Sequence, residues 1–126
     1  MMRVVDTSAW IEWLLDSPTA RHLAPLVPSR EAFIVPTMVQ FELYKWLCRE
    51  ISPQKAEEVL ALTDKCKVVP LDSDLAIAAA HLSAQHQLST ADAIIYATTL
   101  EHNAELLTCD AHFEGLPGVV YIAKQE

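Results

Sequence analysis

Two rhythms of apolar positions divide this chain. Short β-branched runs, Arg3 to Val5, Phe33 to Val35, Lys67 to Leu71, Glu105 to Thr108 and Val119 to Ile122, have the length and composition of strands. Between them apolar residues recur at helical spacing, as in Val39, Leu43 and Leu47, or Leu75, Ala79 and Leu82. Ser17 before Pro18 and Ser52 before Pro53 each match an N-cap followed by proline at the first helical position, and Asp72 can cap the helix carrying Leu75. The predicted order is β, αα, β, αα, β, αα, β, β. The first three connections are long enough for the crossovers that parallel strands need, whereas Cys109 to Gly118 has room for one helical turn. The expected fold is an α/β sandwich around a five-stranded, mostly parallel sheet. No repeat, linker or biased tract divides the chain, so residues 1–126 are expected to form one domain.

Composition narrows the picture. A chain of 126 residues can bury a core without disulfide or metal staples, and 52% apolar residues with only two glycines exclude disorder and a turn-dense β-sandwich. No apolar run approaches the roughly 18 residues of a membrane span. Arg3, Val4, Val5 and Asp6 make too short an apolar start for a signal peptide, so a cytoplasmic protein with no membrane contact is expected. Cys48, Cys66 and Cys109 are odd in number and widely spaced, which leaves buried free thiols as the expectation. The five histidines form no HExxH and no paired spacing with cysteine, which argues against zinc. The net charge of −8 repels polyanions unless cations offset it locally.

Candidate chemistry lies in four carboxylates. Asp6 ends the first strand in VVD and Asp110 follows the fourth in LLTCD, so parallel strands would put both at the sheet edge where α/β folds collect ligands. Glu42, early in the helix after the second strand, sits about 100 degrees around the axis from Leu43, at the margin of the apolar stripe. Alone it reads as a solvated glutamate, with Lys45 as a weak i+3 partner. Asp92 forms an S-x-x-D capping pattern with Ser89, and a carboxylate in a first helical turn is stabilised by roughly 0.3 to 1 kcal/mol. Four carboxylates near one edge, with no lysine or arginine directly beside them in sequence, would repel one another strongly unless a hard cation sat between them. All-oxygen ligation points to Mg2+ or Mn2+, which activates water and clamps phosphate oxygens.

VVDTSAWIEWL, the glutamate of VPTMVQFEL, LSTADAIIYATTL and LLTCDAHF together resemble the four signature blocks of the PIN-domain ribonucleases, over nearly the whole chain. In size the chain looks most like the bacterial VapC toxins of type II toxin-antitoxin systems, which a VapB-type antitoxin holds in check. The resemblance implies a Rossmann-like, three-layer fold with strand order 3-2-1-4-5. It implies a metal-dependent endoribonuclease using Mg2+ or Mn2+, acting on RNA, and forming homodimers. Asp6, Glu42, Asp92 and Asp110 match the catalytic, metal-binding acids, and Ser8 and Thr108 match hydroxyls that orient carboxylates. Thr7 is expected to serve the strand-to-helix turn. Gln87, Leu88 and Ser89 replace a Gly-Leu-Pro-like turn found in many relatives. Arg3, Lys45 and Arg49 are the candidates for gripping RNA, while Trp10, Trp13, Phe41, Tyr44 and Trp46 read as core or interface residues before base-stacking platforms.

Two other classes compete. A phospho-receiver domain also has acids at strand ends, but needs paired acids after the first strand and an acceptor aspartate after the third, where this chain has Pro70 and Leu71. A catalytically idle binding module would have no need of all four acids.

Overall fold

A computed structural model describes residues 1–126. Its strands are β1 (Arg3–Val5), β2 (Phe33–Pro36), β3 (Lys67–Val69), β4 (Glu105–Thr108) and β5 (Val119–Tyr121). The helices are α1 (Thr7–Leu14), α2 (Ala20–Leu23), α3 (Thr37–Glu50), α4 (Pro53–Thr63), α5 (Ser73–His86) and α6 (Thr90–Glu101). The sheet runs β3-β2-β1-β4-β5, and every pairing is parallel, including β4 with β5 across the short final link. That link contains only the 3-10 turn Ala111–Phe113.

Continuous apolar strands follow from burial on both faces. Val4, Val5, Ile34, Val35, Leu106 and Leu107 are all within 1% of complete burial. Val39, Leu43 and Leu47 turn one stripe of α3 into the same core. The central helix is α6, in which Ala93 to Thr99 are buried without a break. Thr98 and Thr99 satisfy their hydroxyls on the carbonyls of Ile94 and Ile95.

Side-chain caps form at the starts of α4, α5 and α6. Ser52 accepts from the Lys55 amide and Asp72 from the Leu75 amide, as N-caps should. Ser17 does something else: it accepts from the Thr19 amide and donates to Glu12, so it closes a turn, and α2 starts only at Ala20. Five residues later Pro25, without an amide hydrogen, tightens the chain into a 3-10 turn. Strand β3 stops at Val69, short of the expected Leu71, because Pro70 cannot donate to a ladder. Of the three free thiols only Cys109 is buried; Cys48 and Cys66 are half-buried, a correction to the expectation for all three. No helix is long and apolar enough to cross a membrane.

This topology makes β1 and β4 neighbours, with connections leaving in opposite directions along the sheet. The carboxyl ends of those two strands therefore open a cleft at the switch point, where Asp6 and Asp110 emerge.

Candidate metal centre

Asp6 continues the β1 ladder through its amide, which donates to the Leu107 carbonyl at 2.9 Å. Its own carbonyl accepts from Ala9 and Trp10 and so starts α1, yet its side chain makes no capping bond. Instead the hydroxyls of Ser8 (2.8 Å) and Thr108 (2.7 Å) both donate to Oδ2. Each hydroxyl is aimed by a backbone amide, Cys109 to Ser8 and Asp110 to Thr108, both at 3.0 Å. The carboxylate is only 3% exposed. Burial raises its pKa, the two hydroxyls oppose that rise, and the charge of Asp110 adds to it.

The other three acids come from three further elements. Glu42, in the second turn of α3, accepts from the Thr7 hydroxyl at 2.8 Å, so Thr7 orients a carboxylate rather than serving only the turn. Partial burial raises the Glu42 pKa, with Asp6 and Asp110 contributing. Asp92 lies in the first turn of α6, where Ser89 accepts from its amide; only this half of the capping box forms. Burial first, then Asp6 and Asp110, push Asp92 up to about 6. Asp110 caps the final 3-10 turn by accepting from the His112 amide at 2.9 Å. All four side chains thus start from the carboxyl edge of the sheet or from the helix turns beside it, and the charges of Asp6 and Asp110 add to the upward shifts of Glu42 and Asp92.

One contributor escaped the sequence reading. The His112 Nδ1 is 3.2 Å from Asp110 and 3.9 Å from Asp92, and the three residues offer ligand atoms all within 4.8 Å of one another. The only sequence signal was a histidine two residues after a candidate acid, and its direction depends on a three-residue turn.

Two grooves border the cluster. One, of about 580 Å³, is lined by Ser8, Asp110, Tyr121 and Lys124 among others. The other, of about 240 Å³, runs past Thr7, Phe41, Glu42, Lys45 and Arg49. Arg3 does not belong with these cations. It starts β1 at the opposite end from Asp6, and its guanidinium is held by Glu105 at 2.7 Å and by the Leu26 carbonyl, so it is a structural ion pair. Trp10 and Trp13 pack as a core pair, whereas Phe41 is 61% exposed in the second groove beneath the Lys45 ammonium.

The donor set fits a hard divalent cation. No lysine or arginine forms an ion pair with any of the four acids, and burial and mutual repulsion disfavour the charged forms of Asp6, Glu42 and Asp92. A cation between the oxygens would reverse that penalty. Asp6, Glu42, Asp92 and Asp110 are the residues that would hold it.

The PIN domain family model matches residues 3–119. Solved structures of similar shape include a toxin-antitoxin complex from Klebsiella pneumoniae, at 24% identity and TM-score 0.79, covering 94% of this chain and 95% of that one. VapC20 from Mycobacterium tuberculosis, a sarcin-ricin loop cleaving toxin, matches at 20% identity and TM-score 0.76, covering 93% and 96%. DNA-bound VapBC from Salmonella typhimurium matches at 18% identity and TM-score 0.74, covering 98% of each chain. No curated protein sequence matches. At such identities the likeness is one of fold.

Proposed function

This chain belongs to the PIN-domain family, and from that premise we propose that it is a Mg2+- or Mn2+-dependent endoribonuclease, the toxin of a VapBC-type pair. The observation that carries the reading is the convergence of Asp6, Glu42, Asp92 and Asp110 from four elements on one edge, unpaired by lysine or arginine. A divalent ion bound there supplies an activated water and charge neutralisation for a scissile phosphate.

The chain's own residues prepare the site. Ser8 and Thr108 fix Asp6, Thr7 fixes Glu42, and the first turn of α6 holds Asp92. Lys124 in one groove and Lys45 in the other, with Arg49 beside it in an exposed pair with Glu50, provide cations on either side of the acids, which is how a chain of net charge −8 would hold an RNA backbone. So few cations imply modest, salt-sensitive RNA affinity.

Similarity in shape to toxin-antitoxin structures supports a VapB-type antitoxin as partner. Exposed Phe41, Ile51, Leu62 and Ile77 leave apolar surface for such a partner or for a second copy. Incubation of the purified chain with RNA tests the activity. Mn2+ or Mg2+ should produce fragments with 5′ phosphates and a chelator should stop their formation; cleavage unaffected by the chelator would overturn metal dependence.

A further inference from the structure

We propose that the His112 imidazole is a nitrogen ligand in the acidic cluster and makes this centre select Mn2+ over Mg2+. The inference rests on the metal site proposed above and specifies which ion it prefers.

Geometry comes first. Two ligands about 2.1 Å from one octahedral ion stand about 3 Å apart when adjacent and about 4.2 Å apart when opposite. The Nδ1 separations of 3.2 Å to Asp110 and 3.9 Å to Asp92 fall in that interval, and with all three groups' ligand atoms within 4.8 Å of one another a small inward shift of these side chains brings them to one ion. The backbone that carries the ring is placed by something other than attraction to the acids. Its turn is anchored by Phe113, fully buried against Tyr96, and Tyr96 in turn donates to the Pro117 carbonyl at 2.7 Å. The His112 amide donates to the same Asp110 oxygen that its Nδ1 approaches, which keeps backbone and ring on one side of that carboxylate.

The competing account is a surface ion pair between His112 and the two aspartates. The His112 side chain is 80% exposed, and an exposed pair of this kind contributes little. The pairing requires a proton on Nδ1, whereas ligation requires the Nδ1 lone pair with the proton on Nε2. The two accounts are therefore chemically exclusive. Imidazole is a softer donor than carboxylate or water and suits Mn2+ better than Mg2+, which prefers oxygen and keeps its waters.

The test is pulsed electron paramagnetic resonance of Mn2+ bound to the full chain, read for modulation by a coordinated 14N nucleus. Wild type should show it and His112→Ala should not. Calorimetric titration should show a Mn2+ Kd raised about tenfold by His112→Ala, with Mg2+ binding within about twofold of wild type. The substituted side chain is exposed, so the fold should be unchanged. Mn2+ bound without nitrogen modulation would remove His112 from the site and leave the four-carboxylate reading intact. Failure of wild type to bind Mn2+ at all would overturn that reading, and this inference with it.

Discussion

The Thr7 hydroxyl donates to Glu42 at 2.8 Å, joining the first residue of α1 to the second turn of α3 across 35 positions of sequence. Glu42 has no other side-chain hydrogen bond, so Thr7 decides where this carboxylate points. Thr7→Val keeps the shape and removes the donor. Its expected effect is a loss of about 10- to 100-fold in Mn2+ affinity, the usual cost of losing a residue that orients a ligand, with thermal stability nearly unchanged. Calorimetric titration checks this, and unchanged affinity would show that Glu42 is not part of the site.

Thr108 and Ser8 differ in how much of the structure depends on them. Thr108 is fully buried, donates to Asp6 and accepts from the Asp110 amide, whereas Ser8 is only partly buried. Thr108→Val leaves the partly buried Asp110 amide without its partner and the buried Asp6 carboxylate with one donor fewer, at a cost of about 1 to 3 kcal/mol. Ser8→Ala should cost less. Thermal denaturation of both variants should rank them in that order, and the reverse ranking would contradict the account of Asp6.

Acid should stabilise the metal-free chain around Asp92. Its pKa is pushed up to about 6 in the folded protein, above its ordinary 3.8, so between those values the folded chain holds a proton that the unfolded chain has released. The resulting contribution to stability is fully present below 3.8 and is lost as pH rises through 6. Asp6 and Glu42 are shifted in the same direction. Without metal, the difference in Tm between wild type and Asp92→Asn should therefore widen in favour of the variant as pH rises from 4 to 7. With saturating Mn2+ the wild type should regain stability at the higher pH, since protons and metal compete for the same oxygens. A pH-independent difference would remove Asp92 from the cluster.

Much of this was legible because it is local. Strand β1 runs straight into Asp6, and the apolar stripe Val39, Leu43, Leu47 fixes the side of α3 on which Glu42 is marginal. The features that escaped are contacts between distant segments or the aim of very short ones. Nothing near Thr7 announces Glu42, and nothing near Arg3 announces Glu105, 102 residues away, which turns a candidate RNA contact into a structural ion pair. Ser17 looked like a helix cap because serine before proline is the usual signal, but the nearby Glu12 carboxylate took its hydroxyl. His112 depends on a three-residue turn whose direction is set by Phe113 in the core.

A functional site should be a source of instability, and Asp6 makes this measurable. Its carboxylate is buried and its charged form disfavoured, so Asp6→Asn should raise the Tm of the metal-free chain by a few degrees while abolishing its response to Mn2+. A lower Tm in the variant would mean that the charge serves the fold.

RNA cleavage by wild type and Asp6→Asn at saturating Mn2+, with both chains shown to be folded by circular dichroism, bears most directly on the central claim. Metal-dependent cleavage by the wild type and background cleavage by the variant are the predicted result. Cleavage at the wild-type rate by Asp6→Asn would contradict the four-carboxylate centre.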